Sequence, residues 1–120
     1  MPSLELVTNV KLDDPKAFAK EFSKLGAETL RKPEAYISTS YTYNETLTFN
    51  GTFEPAFILQ ITSLDNINET VNEEYSQTFF KFFEEKLGTP GDRGYIVFFD
   101  PGRENIGFKS THFGKIFGKK

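Results

Sequence analysis

Apolar residues follow two periods along this chain, and the switches between them predict alternating strands and helices. In the first nine residues Leu4 and Leu6 alternate with polar neighbours, with Val7 out of phase, which predicts a strand. The period then lengthens: Phe18, Phe22, Leu25 and Leu30 recur at helical spacing, with Lys16, Lys20, Glu21, Lys24 and Glu28 on the other side, predicting a helix over 16–31. Asp13-Asp14-Pro15 supplies an N-cap acid and a first-turn proline, and Pro33 stops the helix. Gly26 weakens it by about 1 kcal/mol relative to alanine and is read as a point of close approach to a sheet.

Residues 35–43, rich in Tyr, Ser and Thr, predict a second strand with one wet face. Asn44-Glu45 and Asn50-Gly51 are turns around a short strand over Thr46–Phe49, an edge hairpin. The stretch from Ala56 to Leu64 holds Phe57-Ile58-Leu59 and Ile61, a nearly continuous apolar run expected of a strand buried on both faces at the sheet centre. Val71, Tyr75, Phe79, Phe82, Phe83 and Leu87 mark the inner side of a second helix starting at Asn68 or Glu69, with Gly88 placed as its C-terminal cap. Tyr95 to Phe99 is again strand-like, and Ile106-Gly107-Phe108 reads as a short last strand. The order is a β-α-β unit written twice. The predicted class is α+β: a four-stranded mixed sheet with both helices on one face and short edge strands. Its other face needs a cover, which points to oligomerisation.

Composition narrows the function. The 120 residues make one domain over 1–113, followed by a basic, flexible tail over 114–120. A net charge of −3 with scattered basic residues argues against nucleic acid as a partner. The absence of cysteine removes thiol chemistry, and the single His112 leaves no histidine cluster, so no metal is expected. No stretch approaches the roughly 18 apolar residues of a membrane helix, and no leader pattern opens the chain. A cytoplasmic protein is expected, with export lacking a signal peptide left open. Three Asn-x-Thr tripeptides, at Asn44, Asn50 and Asn68, read as turn chemistry. Fourteen phenylalanines and no tryptophan mean a core built of benzyl rings.

One position carries candidate chemistry. Removing Met1 would leave Pro2 as a terminal secondary amine on a rigid strand. Burial would pull its pKa from about 8 toward neutrality, where an amine can move protons. The plain alternative is a proline that merely starts a strand.

The residues that decide between these belong to a pattern running nearly end to end: Met1-Pro2, Thr8-Asn9-Val10, Lys32-Pro33-x-x-Tyr36-Ile37, Glu54-Pro55, Ser63-Leu64, Tyr75-Ser76, Asp92-Arg93-x-Tyr95-Ile96, and Asn105-Ile106-Gly107 with Thr111 and Phe113. In these the sequence resembles the macrophage migration inhibitory factor branch of the tautomerase superfamily. The resemblance implies a homotrimer whose sheets form a barrel, and keto–enol tautomerisation of small α-keto acids such as phenylpyruvate without a cofactor. Pro2 matches the catalytic base and Lys32 the cation that receives the substrate carboxylate and depresses the proline pKa. Tyr95 matches a tyrosine reaching the pocket from the neighbouring subunit. Ser63 and Leu64 match the substrate-facing segment, with the Leu64 backbone N–H toward substrate. Tyr36, Ile106, Phe108 and Phe113 match the apolar wall and rim.

Departures from the pattern bear on substrate. Val97 stands where well-studied animal members carry an asparagine, Thr62 replaces a histidine, and Ala56-Phe57-Ile58-Leu59 replaces a Cys-x-x-Cys. Val97 therefore removes a polar substrate contact. A second reading is a cytokine-like or regulatory protein with a protein receptor and a vestigial pocket. A third is a pseudoenzyme that keeps Met1.

Overall fold

Asp14 Oδ1 accepts a hydrogen bond from the Ala17 amide at 3.1 Å and Pro15 follows it, so the first helix starts where its cap dictates. In the computed structural model, which describes residues 1–118, β1 spans Pro2–Thr8, α1 Pro15–Leu30, β2 Ser38–Tyr43, β3 Phe57–Ser63, α2 Glu69–Leu87 and β4 Gly94–Phe99. A hairpin of β5 (Gly107–Phe108) and β6 (Thr111–His112) and a short helix α3 (Phe113–Phe117) complete the described chain. Helix α1 ends through Arg31 in the left-handed region (φ 57°), two residues before Pro33. Helix α2 runs from Asn68, whose side chain caps Val71 at 3.0 Å, to Gly88, whose φ of 72° favours glycine.

The sheet order is β2-β1-β3-β4. Strands β1 and β2 are parallel, as are β3 and β4, and the two halves join through an antiparallel β1–β3 seam in which Pro2 faces Ser63 and Leu6 faces Leu59. This is the duplicated β-α-β arrangement that the alternating periods predict. Helices α1 and α2 cover one face, burying Leu4, Leu6, Phe57, Leu59 and Ile61 from the sheet with Phe18, Phe22, Leu30, Tyr75, Phe79, Phe83 and Leu87. Phe22 is the hub: its ring meets those of Phe83 at 5.6 Å, Phe18 at 5.7 Å, and Phe79 and Phe82 both at 6.1 Å. A methyl on Gly26 would stand 3.3 Å from Leu4 Cδ2, the close helix-to-sheet approach expected there.

The other sheet face carries two unlike halves. Toward β2 it presents Ser38, Ser40 and Thr42; toward β4 it presents Ile58, Tyr95, Val97 and Phe99, which are 41–64% exposed.

Several expectations are corrected. Strand β3 alternates buried and exposed residues and is not buried on both faces, since Ile58 and Gln60 lie exposed on the uncovered side. No strand forms over 46–49; Asn44 instead organises a turn, accepting from the Thr46 amide at 2.9 Å, and an isolated Phe49–Thr52 bridge replaces the hairpin. Residues 34–36 form a 3-10 turn, so β2 begins only at Ser38. The basic tail expected from Gly114 begins instead as α3 over 113–117, anchored by the buried Phe113 ring; its Lys119 and Lys120 lie outside the described residues.

Candidate active site

The first strand begins at a cavity of about 300 Å³. Pro2 and Met1 form one side, Tyr36 and Ile37 a second, and Ile106, Phe108 and Phe113 a third. Each wall has a local cause. Pro2 keeps the inward phase of Leu4 and Leu6 and is fully buried. Tyr36 is brought round by the 3-10 turn after Pro33. Phe108 sits on the β5–β6 hairpin, whose turn residues Lys109 and Ser110 both adopt positive φ, 51° and 62°. The rings are in register: Tyr36 meets Phe108 edge-on at 6.1 Å, and Phe108 stacks on Phe113 at 5.3 Å and 8°. An aromatic slot therefore stands beside the chain's terminal amine.

Electrostatics favour a base there. The terminal amine, carried here by Met1, is held below its ordinary value of 8.0, first by burial and then by the Lys32 charge. Lys32 is half-buried just after α1, where it acts on the amine without lining the cavity. Ser63 is fully buried and its Oγ reaches the Met1 carbonyl at 3.5 Å. Leu64 is 5% exposed and outside the cavity lining, so its side chain packs inward. Nearby, Tyr75 Oη donates to the Asn66 carbonyl at 3.0 Å, tying the end of β3 to α2.

Two expected members lie elsewhere in the single chain. Tyr95 aligns with Ile58 and Val7, five residues along β1 from Pro2, about 17 Å at strand rise. It faces a separate cleft, its ring 5.1 Å from that of Phe49. Arg93 supports this cleft, donating to the carbonyls of Glu54 at 2.9 Å and Pro55 at 3.0 Å. Val97 aligns with Gln60 and Glu5 on the uncovered sheet face, away from the face into which Pro2 is buried. One chain thus unites Pro2, Tyr36, Ile106, Phe108 and Phe113, with Lys32 and Ser63 at the margin. Sequence reasoning missed Ser3, Ala35, Ile37, Ser38 and Gly107 as lining residues. Adjacency to Pro2 points to Ser3 in the sequence, whereas Ser38 emerges only from its pairing with Ser3 across the β1–β2 ladder.

A duplicated β-α-β sheet with a buried penultimate proline opening into an aromatic slot defines a narrow class. Residues 1–114 match the family model described as "Macrophage migration inhibitory factor (MIF)". The chain is 35% identical to a macrophage migration inhibitory factor homolog of Trichuris trichiura over 114 residues, covering 94% of this chain and 100% of that one. It is 28% identical to the macrophage migration inhibitory factor of Rattus norvegicus, covering 94% and 99%. Among solved structures, the macrophage migration inhibitory factor of Trichinella spiralis superposes with a TM-score of 0.87 at 30% identity, covering 92% of this chain and 99% of that one. The chain belongs to the macrophage migration inhibitory factor family.

Proposed function

We propose that this protein is a homotrimeric keto–enol tautomerase acting on small aromatic α-keto acids such as phenylpyruvate, with Pro2 as general base once Met1 is removed. The observation that carries this is the buried Pro2 at the mouth of a ring-walled cavity, beside an amine whose pKa burial and Lys32 both lower. In the keto-to-enol direction the Pro2 nitrogen takes a proton from the carbon next to the carbonyl. The C–H electron pair becomes the C=C bond as the carbonyl π pair moves to oxygen, which takes a proton from water while the prolinium gives its proton back to water; in the reverse direction water removes the enol O–H proton and the prolinium delivers one to carbon. Lys32 receives the carboxylate, the Leu64 backbone N–H and Ser63 flank it, and Tyr36, Ile106, Phe108 and Phe113 hold the aryl group. A trimer brings Tyr95 of a neighbouring copy to the cavity and covers the apolar strip of Ile58, Val97 and Phe99. No step needs a cofactor. A cytoplasmic location, with export as the alternative, suits such a protein.

Val97 favours a second reading. Its half-exposed isopropyl group offers no hydrogen bond, so a regulatory protein that binds a receptor through this fold, with weak turnover, fits the same residues. Intact mass first establishes whether Met1 is absent. The processed protein is then assayed for phenylpyruvate tautomerisation, beside Pro2→Gly. Turnover that Pro2→Gly abolishes supports the enzyme. No turnover by the processed protein, or full activity in Pro2→Gly, sinks it; receptor binding that survives Pro2→Gly in an inactive protein supports the regulatory reading.

A further inference from the structure

Arg103 lies in a 3-10 turn outside the Pro2 cavity, yet its guanidinium joins segments that meet behind the cavity wall. Its Nε donates to Asp65 Oδ2 at 2.8 Å, and its Nη1 donates to the carbonyls of Phe117 and Gly118, each at 2.9 Å. The pair is partly sheltered, with side chains 22% and 25% exposed, where a charge-assisted bond gains over a fully solvated one. Asp65 stands two residues beyond Ser63, the residue opposite Pro2, and is itself fixed by its amide donating to Asp100 Oδ2 at 2.9 Å. At the other end of the linkage is α3, five residues long. So short a helix cannot sustain itself, because too few bonds repay its nucleation, and its last carbonyls have no helical donors. Arg103 supplies those donors.

We infer that Arg103 is a positioning residue for the Pro2 cavity: it fastens the end of α3 to Asp65 and thereby fixes the Phe113 and Phe108 rings where an aryl group must fit. The linkage passes ring by ring. Phe117 stacks on Phe113 at 5.2 Å and 10°, Phe113 on Phe108 at 5.3 Å, and Phe108 meets Tyr36. The Phe113 amide also donates to the Ile106 carbonyl at 3.1 Å, so the start of α3 and the cavity wall move as one. In the proposed function this wall takes the aryl end of a substrate, whereas the keto-acid end lies toward Pro2, with the Lys32 charge acting from outside the lining. Releasing α3 therefore weakens the hold on a ring and leaves the proton transfer alone.

The inference rests on the function proposed above, and one experiment separates their failures. The Met1-free parent, Arg103→Met and Arg103→Lys are compared for hydrogen–deuterium exchange at C3 of phenylpyruvate and of pyruvate, which lacks the ring, and for amide exchange over 113–118. Arg103→Met is expected to raise KM for phenylpyruvate about ten-fold, the effect of losing a small apolar contact, with kcat near the parent's. Pyruvate constants stay unchanged and the α3 amides exchange faster. Arg103→Lys recovers part of the loss, since an ammonium still pairs with Asp65 but cannot fork to both carbonyls. A parent-like phenylpyruvate KM in Arg103→Met, or an equal change for both substrates, overturns the inference. A parent that exchanges neither substrate overturns the proposed function instead. Arg103 is then judged by phenylpyruvate affinity from NMR titration: weaker binding in Arg103→Met upholds the positioning role, and equal binding ends it.

Discussion

Adding one methyl group at Gly94 tests how tightly β4 is set against the core. Gly94 pairs with Phe57 across the β3–β4 ladder. A Cβ there would fall inside the van der Waals surface of Phe57 Cε2 and only 2.5 Å from Cδ2 and Cζ. The ring has little room to retreat, being fully buried with Phe83 at 4.7 Å and Phe80 at 5.3 Å. Gly94 does not use the left-handed region, so the penalty is steric and not conformational. Overpacking of this kind costs about 1–3 kcal/mol, and the confinement of Phe57 places Gly94→Ala toward the upper end. At about 4 °C per kcal/mol for a chain of this length, Tm falls by about 4–12 °C. Urea unfolding at one fixed protein concentration measures it, because association would otherwise shift the midpoint; the slope m should stay the same. The double variant Gly94→Ala/Phe57→Leu, which trims the obstructing ring, should lose at least about 1 kcal/mol less than the sum of the single losses. If Gly94→Ala unfolds within about 0.5 kcal/mol of the parent and the cycle shows no coupling, the packing argument is wrong.

Phe22→Ala removes the ring that four others touch and should cost about 3–5 kcal/mol in urea unfolding; a loss below about 1 kcal/mol would mean that the hub repacks. The terminal amine of the Met1-bearing chain sets a pH dependence. Its folded pKa lies below the unfolded value of 8.0, so between the two the unfolded chain holds more protons and stability rises with pH, levelling off above 8.0. Lys32→Met removes the second cause of the depression, raises the folded pKa and should flatten that rise; an unchanged stability–pH slope would show that Lys32 does not act on the amine.

The fold was legible because its two periods are clean. Leu4 and Leu6 alternate, Phe18 and Phe22 recur at helical spacing, and Asp14, Asn68 and Gly88 mark helix ends by local chemistry. What failed was context. Ile58 sits in an apolar run that suggests two buried faces, but within one chain helices cover only one side, so its exposure follows from the layers and not from its neighbours in sequence. The Lys109-Ser110 turn uses two left-handed residues without glycine or asparagine, which hides the β5–β6 hairpin from composition alone. The basic, glycine-containing composition after Phe113 hides α3 because its support is remote: Arg103 reaches across from 14 and 15 positions earlier in sequence. For the candidate site, the amine chemistry of Pro2 was readable from position and general pKa behaviour. Lys32, Tyr36 and Phe108 were not, since nothing in their spacing announces that a 3-10 turn and a late hairpin carry them to the first strand; only the family resemblance brought them forward.

The divided sheet face has a practical side. Both edge strands are open among the described residues, but hydroxyl-bearing β2 tolerates water, whereas β4 leaves Tyr95, Val97 and Phe99 standing open on one face. An apolar edge is a template for indiscriminate strand addition. Where like copies shield that strip, as proposed above, the share of protein lost to aggregation should peak near the concentration at which half the chains are unassembled: above it the strip is covered, and below it bare chains rarely meet.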